Sequence, residues 1–296
     1  MTARLLVLLL RVGWLLLPFV AGPVLAAGTE ERSRAVQLVA ASGLWAVWAG
    51  VLVALLVPST VSLTALRLAA PAVPAAALVA SLADRGAASA AAEVLGIAAG
   101  VAVALLALHP VVGEVFVEGS SYGDERRRLL RPPGPLLLGP IEVAWAAVVA
   151  GPAVGALLLA ARQWAAGTVV LVVAVPLAVV LVDRLHRLSR RWLVFVPAGL
   201  VLHDHLVLAD TVLFRRGTIA GLAPAEAGTT ATDCTGGAPG LALELRLHEP
   251  APLLLAGTPR ARAGRPVTTD RLLVCPSRPG SVMAEAARRG LPVGLR

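Results

Sequence analysis

The sequence predicts an α-helical transmembrane bundle of about six helices, followed by a small cytoplasmic β-rich domain with one C-terminal helix. Three observations predict this fold class. The 296 residues are 57% hydrophobic and 15% charged, whereas soluble domains are about half apolar and about a quarter charged. Long apolar stretches fill residues 1–190. Over residues 191–296 the apolar residues instead form short runs bounded by Gly, Pro, Asp or Thr, which is typical of strands.

Six stretches are long enough to be membrane spans, which need about 20 mostly apolar residues. They lie near residues 5–27, 36–57, 61–82, 90–108, 136–160 and 167–183. The third contains Arg67, Pro71 and Pro74, and we expect a kink there because proline removes a helical hydrogen bond. The first has two interpretations. We favour an uncleaved helix over a signal peptide with a weak cleavage-like site at "VLAAG", because Arg11 interrupts the apolar run.

The distribution of arginine predicts a multi-pass plasma-membrane protein with both termini in the cytoplasm. Cytoplasmic loops of membrane proteins carry an excess of Lys and Arg, and this sequence contains no Lys. With the N-terminus inside, nine arginines fall in inside segments: Arg4, Arg126, Arg127, Arg128, Arg131, Arg184, Arg187, Arg190 and Arg191. Four fall in outside segments: Arg32, Arg34, Arg85 and Arg162.

The net charge of +8 indicates an anionic partner. Nucleic acid is one class of partner for a basic protein, but in a membrane protein a basic surplus more often sets orientation or contacts anionic headgroups. The segment "DRLHRLSRR" (183–191) forms the cytoplasmic end of the last predicted span. We therefore expect anionic lipid headgroups or an unknown protein as partner, and no nucleic acid.

The last hundred or so residues predict antiparallel strands closed by one helix. "ALELRL" alternates apolar and charged residues, as a half-buried strand does. "RPGSVMAEAARRG" (278–290) predicts a helix with Ser281 as its N-cap and Gly290 at its end. We expect residues from about 192 to fold as one compact β-domain without the helices.

The order of "LVFVPAGLVLHD", "LFRRGTIAGL" and "CPSRPGSVMAEAARRG" resembles the bacterial pleckstrin-homology-like domains that are attached to membrane helices. The resemblance implies an open barrel closed by the C-terminal helix. The whole chain is similar to uncharacterised actinobacterial integral membrane proteins, in which "GSSYGDERRRLLRPPGPLLLGP" is the kind of central loop expected. The resemblance names no reaction. Phosphoinositide-binding members usually carry several cationic residues on the first hairpin, whereas here the candidates are Arg215 and Arg216, further along.

The central loop "GDERRRLLRPPG" (123–134) predicts a short salt-bridged or membrane-surface helix. It is either a topology signal alone or a surface that packs against the C-terminal domain. In the second case Leu129 and Leu130 would supply apolar contact. The acids facing its arginines would include Asp204, Asp210, Glu244 and Glu249. The candidate residues for contact with lipid or a partner are Arg126, Arg127, Arg128, Arg131, Arg187, Arg190 and Arg191.

Ionisable residues inside the spans form a second candidate set, because such residues are costly and often functional. Arg11 and Arg67 lie deep in their spans, whereas Glu93 and Glu142 lie near the start of theirs and could reach the interface. An Arg–Glu pair would be a structural lock or would line a polar path. A transporter or channel subunit is accordingly the first alternative function.

The signals for enzymatic chemistry are weak. "GSSYG" (119–123) matches the G-x-S-x-G nucleophile pattern, but Ser121 would need a histidine, and His109 and His186 lie at span ends. In "HDH" (203–205) the two histidines would share one strand face, yet a metal site needs further ligands; we read it as a hairpin turn. Cys234 and Cys275 suggest neither a disulfide framework nor a metal site. We therefore predict a non-enzymatic membrane protein without metal or cofactor, with a membrane serine hydrolase as the last alternative.

Overall fold

The computed structural model describes residues 2–83, 88–257 and 264–294. The chain forms two compact units. The first comprises Met1–Gly119 and Glu142–His186, and the second comprises Ser120–Ile141 and Arg187–Arg296. Arg85, one of the four arginines assigned to outside segments, lies outside the described residues.

The helices of the first part of the chain lie in residues 3–188, and the six long ones fall where the spans were predicted. They are α1 (Ala3–Val20), α2 (Gly22–Ala27), α3 (Arg34–Leu56), α4 (Thr60–Ala83), α5 (Ala90–Leu108), α6 (Pro110–Glu118), α7 (Pro140–Ala160) and α8 (Trp164–Leu188). Six of them, all except α2 and α6, are long and apolar enough to cross a membrane. The first predicted span divides at Ala21, because Gly22 and Pro23 begin a new helix there. These helices indicate a multi-pass membrane protein.

Small residues allow the helices to pack closely. A Cβ atom added at Gly100 of α5 would lie 2.9 Å from the backbone nitrogen of Pro74 in α4, and one at Gly151 of α7 would lie 2.9 Å from the Cβ of Ala174 in α8. Glycine at such points is a recurrent feature of helix contacts in membranes. α4 continues as one helix through Pro71 and Pro74.

The second unit contains two four-stranded sheets and a final helix. The strands are β1 (Arg126–Leu129), β2 (Trp192–Val196), β3 (Gly199–His203), β4 (Val212–Arg215), β5 (Ile219–Pro224), β6 (Thr232–Asp233), β7 (Leu243–Leu255) and β8 (Arg265–Val274), followed by α9 (Pro279–Arg288). The first sheet is antiparallel with the order β1-β2-β3-β4, and the second has the order β5-β7-β8-β6. The predicted strand-rich region and closing helix are thus present.

The central loop forms a strand instead of the short helix that we expected. β1 pairs antiparallel with β2, with Arg126 opposite Phe195 and Leu129 opposite Trp192. A short isolated helix is marginal in water, whereas β1 gains a ladder of backbone hydrogen bonds from β2. The predicted packing of this loop on the C-terminal strands is therefore confirmed, through backbone pairing. The unit also includes residues 120–141, in addition to the range 191–296 that we assigned to it.

The final helix begins earlier than predicted. Its N-cap is Arg278, and Ser281 donates its hydroxyl hydrogen to the Arg278 carbonyl at 2.9 Å, so the predicted Ser281 cap is wrong. Proline at position 279 sets the start because it needs no helical acceptor there. Gly290, with φ of 68°, follows the helix in the left-handed conformation that favours glycine, which confirms the predicted end.

The core of the second unit lies between its sheets and α9. Phe195 and Phe214 from the first sheet, Leu245 and Leu272 from the second, and Val282 from α9 belong to one buried apolar cluster. Leu130 from the central loop belongs to the same cluster. Leu129 is also buried, at 3% exposure. The apolar contribution predicted for these two leucines is therefore confirmed.

Candidate functional site

Strand β1 divides its arginines between two faces. Directly opposed residues of an antiparallel pair point to the same face, so Arg128 shares a face with Leu193, whereas Arg127 shares the other with Val194. Leu193 is fully buried in the core. Arg128 therefore projects towards the core face of the sheet, and Arg127 towards the outer face.

The arginine on the core face is held by an internal carboxylate. Nη2 of Arg128 lies 3.4 Å from Oε2 of Glu285, whose side chain is 2% exposed. Arg289 binds the other oxygen of Glu285 at 2.7 Å, and Arg288 also pairs with this carboxylate. Glu285 thus links β1 to α9, and it was not among the acids that we proposed for the loop arginines.

Arg191 is a structural residue, which corrects its assignment as a lipid-facing side chain. It is 1% exposed and its guanidinium forms a two-point ion pair with Asp204, at 2.7 Å and 2.6 Å. Its remaining nitrogen donates to the carbonyl of Arg131. Burying one charge alone is costly, and Asp204 compensates this one. Arg191 therefore has no surface for a ligand.

Two further arginines of the central loop bind backbone carbonyls. Arg131 donates from Nη1 to Pro239 at 3.0 Å, and a Cβ at the neighbouring Gly240 would come within 2.4 Å of the Arg131 guanidinium. Arg126 donates from Nη1 to Glu125 at 2.7 Å. Both side chains are half-buried, so they hold loops of the unit together.

The outer face of the first sheet carries a row of stacked rings and a cation. The guanidinium of Arg127 lies 5.0 Å from the ring centroid of Trp192, and Trp192 stacks on His203 at 5.3 Å with an interplanar angle of 20°. His205 lies 6.2 Å further along. Glu125 pairs with Arg127 at 3.1 Å. We did not single out Trp192 from the sequence; it is buried, and its role is to pack against Arg127 and His203.

Two arginines near the end of α8, Arg187 and Arg190, influence the pKa values of the histidines in this row. The pKa of His203 is lowered by burial and by the charge of Arg190, against the opposing charge of Asp204. Burial also lowers the pKa of His205, and His203, Arg187 and Arg190 contribute, against the opposing charge of Asp204. Both imidazoles are therefore neutral at pH 7. Arg190 is exposed, and within the described residues its side chain has no ion-pair partner.

We call this set the basic face of the second unit. Its members are Arg127, Arg187, Arg190, Trp192, His203 and His205. They come from β1, the end of α8, β2, and the end of β3 with the turn that follows. Of the seven arginines predicted to contact lipid or a partner, three thus belong to this set. Arg190 is exposed and Arg127 and Arg187 are half-buried, whereas Trp192 is buried.

The "HDH" segment forms the turn that we predicted from it. The N–H groups of Val207 and Leu208 donate to the carbonyl of Asp204, and Nδ1 of His203 lies 2.8 Å from Oγ1 of Thr211. Among the residues that the structure describes, no group of three or more His, Cys, Asp or Glu side chains could hold a metal ion.

The intramembrane candidates occupy separate structural positions. Arg11 donates from Nε and Nη2 to the Leu55 carbonyl, at 3.1 Å and 2.8 Å, which satisfies an acceptor in the last turn of α3. Glu93 and Glu142 each lie in the first turn of a helix, where a carboxylate is favoured by the helix dipole. Arg67 is half-buried within α4. In the part of the chain that the structure describes, neither Arg11 nor Arg67 pairs with Glu93.

The histidines considered for Ser121 have other partners. His109 is the N-cap of α6, and its Nδ1 accepts from the N–H of Val111 at 3.2 Å. His186 lies 2.8 Å from Oγ1 of Thr64 through Nδ1. Both belong to the first unit, whereas Ser121 belongs to the second.

No family model matches the chain, and comparisons with curated proteins and with solved structures find no match.

Proposed function

We propose that the chain is a non-enzymatic multi-pass protein of the bacterial plasma membrane, whose second unit binds anionic headgroups of the cytoplasmic leaflet through the basic face. The observation that carries the proposal is the position of the exposed Arg190. It lies two residues beyond the end of α8, and its charge acts on both histidines of the face. Both termini are cytoplasmic in this proposal.

The exposed surface of the helices supports insertion into lipid. Phe19 and Leu82 are 78% and 79% exposed on α1 and α4, and large apolar residues are similarly exposed on the other long helices. Contiguous apolar surface on this scale is unfavourable in water. A bilayer removes this cost.

The pairing of β1 with β2 and the distribution of arginine support a cytoplasmic position for both termini. Because β1 and β2 form one sheet, the start of α7 and the end of α8 belong to the same side of the membrane. Four of the candidate spans precede β1, so an even number of crossings brings the N-terminus to that side as well. The nine-to-four excess of arginine favours the cytoplasm for this side.

The topology of the second unit supports a pleckstrin-homology-like identity. An antiparallel meander of four strands leads into a second sheet, and a final helix packs on the core between them. This arrangement agrees with the resemblance of the sequence. The first strand of the meander is supplied from between α6 and α7.

The chemistry of the basic face fits a phosphate-bearing headgroup. Guanidinium groups bind phosphate oxygens with two donors, and Arg190 is exposed. The buried acid beside this surface, Asp204, forms its ion pair with Arg191. It therefore does not neutralise Arg190, whose charge can attract a phosphate. Each arginine near an anionic surface contributes about 1 kcal/mol.

Amide exchange of the full chain in nanodiscs tests the proposal. We expect about 30% anionic lipid to slow exchange in residues 187–206, relative to nanodiscs of phosphatidylcholine alone, because bound headgroups restrict local opening. Replacing Arg187 and Arg190 by Gln should abolish this protection.

Arg215 and Arg216 provide a matched control in the same unit. Both are exposed and lie outside the basic face, so R215Q/R216Q removes the same charge and should leave the protection intact. If both double variants lose protection equally, the effect is general electrostatic attraction and the basic face is not a binding site. If anionic lipid protects nothing in residues 187–206, a protein partner replaces lipid as the occupant.

The two alternative functions have less support. The Arg11 guanidinium is occupied by the Leu55 carbonyl, which favours a structural role over a polar path. His186 is bonded to Thr64 and His109 caps α6, so neither favours a hydrolase based on Ser121.

A further inference from the structure

An open cleft of about 830 Å³ lies between α1–α2 and α3 in the first unit. Along most of its length it is lined by apolar side chains, including Leu17, Leu25, Leu38, Leu44 and Trp45. Ala40 and Ala41 also line it, and their small side chains leave the space between the helices unfilled.

One end of the cleft is closed by two tryptophans. Nε1 of Trp14 donates to the Trp48 carbonyl, and Nε1 of Trp48 donates to the Trp14 carbonyl, each at 3.0 Å. Both indole N–H groups are thereby satisfied. The floor of the cleft consequently presents mainly the carbon surface of the rings.

The opposite end is polar. Its lining includes Thr29, Glu30, Arg34 and Gln37, which all belong to the α2–α3 connection and the start of α3. Gln37 donates from Nε2 to the carbonyls of Glu30 and Arg32, at 2.9 Å and 3.1 Å, and so fixes the connection over the first turns of the helix.

The polar end of the cleft carries one acidic and one basic side chain, Glu30 and Arg34, and these two described residues do not form an ion pair with each other. Glu30 and Arg34 are both exposed, and neither has an ion-pair partner in the part of the chain that the structure describes. A ligand with one cationic and one anionic group can satisfy both. A ligand with a net negative headgroup contacts Arg34 favourably but is repelled by Glu30.

The depth of the cleft matches one leaflet of a bilayer. From Gln37 to Trp48 an α-helix rises about 16 Å, at about 1.5 Å per residue. The hydrocarbon core of a bilayer is about 30 Å thick, so a leaflet contributes about half of that. An acyl chain that enters at Gln37 thus ends near the two tryptophans.

From these observations we infer that the cleft binds a zwitterionic aminophospholipid of the leaflet that borders the α2–α3 connection. An acyl chain occupies the apolar length between α1 and α3. The phosphate contacts Arg34 and the primary ammonium contacts Glu30. The residues of this site all belong to the first unit, and none is a member of the basic face. The inference rests on the proposed function in one respect, because it requires the chain to span a membrane.

Native mass spectrometry of the full chain tests the inference. The protein is released into mild detergent from bilayers with equal amounts of phosphatidylethanolamine and phosphatidylglycerol. We expect one retained phosphatidylethanolamine, in about fivefold preference over phosphatidylglycerol, the ratio that about 1 kcal/mol from exposed charge pairs produces. E30Q and R34Q should each bring the two lipids close to equal retention.

Two further variants separate the headgroup contact from the cleft itself. R32Q removes an exposed arginine of the same connection that does not line the cleft, and should retain the preference. Ala41→Phe fills the cleft and should reduce retention of both lipids. Both mouth residues are exposed, so their variants should match the thermal unfolding of the wild type.

Three results would overturn the inference. Equal retention of the two lipids by the wild type would identify them as non-selective boundary lipid. Equal effects of R32Q and R34Q would remove the headgroup contact. A lipid-free dimer whose formation is blocked by Ala41→Phe would show that a second copy of the chain covers the cleft.

Discussion

Arg191 and Asp204 form a two-point ion pair that is sealed from solvent. Their side chains are 1% and 0% exposed, with 2.6 Å between Nη2 and Oδ2. Oδ1 of Asp204 also accepts from the N–H of Leu206 at 3.2 Å, and the Arg191 carbonyl accepts from the N–H of Leu130 at 3.0 Å. One pair of charges thereby joins the central loop, the start of β2 and the turn after β3.

Asp204→Asn should destabilise the second unit by about 3–5 kcal/mol, because it leaves a buried guanidinium without its counter-charge. The measurement is urea-dependent proteolysis of this unit in the full chain. Asp270→Asn is the matched control, since the Arg271–Asp270 pair is 49% and 54% exposed at 3.8 Å and should contribute about 0–1 kcal/mol. Equal effects of the two variants would show that the buried pair has no special role.

Strand β1 should be required for the second unit to fold. Without residues 120–141, β2 becomes an edge strand and the core loses Leu130, so purified 187–296 should lack a cooperative unfolding transition. A chain with 120–141 joined to 187–296 through a flexible linker should recover it. Circular dichroism during urea titration compares the two. Cooperative unfolding of 187–296 alone would instead support the independent domain that we expected from residue 192.

Both cysteines should resist modification in the folded protein. Burial raises the pKa of Cys234 to about 12 and also raises the pKa of Cys275, and the reactive species is the thiolate. Maleimide at pH 7.4 should therefore label the wild type only after denaturation. Rapid labelling of the native protein would show that these thiols are exposed by local opening.

Because the two native cysteines should not be labelled, single cysteines added to the wild type can report on which side of the membrane a residue lies. Glu30→Cys and Asp124→Cys place thiols at exposed positions on opposite sides of the proposed topology. In intact cells a membrane-impermeant maleimide should label position 30 and should reach position 124 only after lysis. The reverse pattern would invert the topology and, with it, the assignment of the basic face to the cytoplasm.

Stability of the second unit should decrease below about pH 6.5. Burial lowers the pKa of His203 and of His205 in the folded state, so the folded unit binds fewer protons than the unfolded chain, in which histidine has a pKa near 6.5. The stabilising contribution is complete above about pH 6.5 and is lost as the pH falls through the lowered folded-state pKa. Proteolysis at pH 7.5 and pH 5.5 should show this loss in the wild type and a smaller one in H203Q/H205Q. An identical pH dependence in both proteins would assign the loss to other groups.

The parts of the fold that the sequence predicted depend on local patterns. Apolar runs of membrane-spanning length predicted the six long helices, and short bounded runs such as "WLVFV" predicted strands. β1 escaped prediction because "RRRL" has no apolar alternation, and its ladder is formed with residues far along the chain. For the same reason Arg191 could not be told from Arg190. The two are adjacent, and only the distant Asp204 determines which one is buried.

The insertion of β1 between two helices has a consequence for biosynthesis. Leu129 is synthesised before α7, α8 and its own partner Trp192, and at about 5–20 residues per second the strand remains without its partner for several seconds. An unpaired strand can form hydrogen bonds with a strand of another chain, and positively charged side chains oppose such pairing. Arg126, Arg127 and Arg128 place three such charges on this strand. The second unit can therefore be completed only after α7 and α8 have been synthesised.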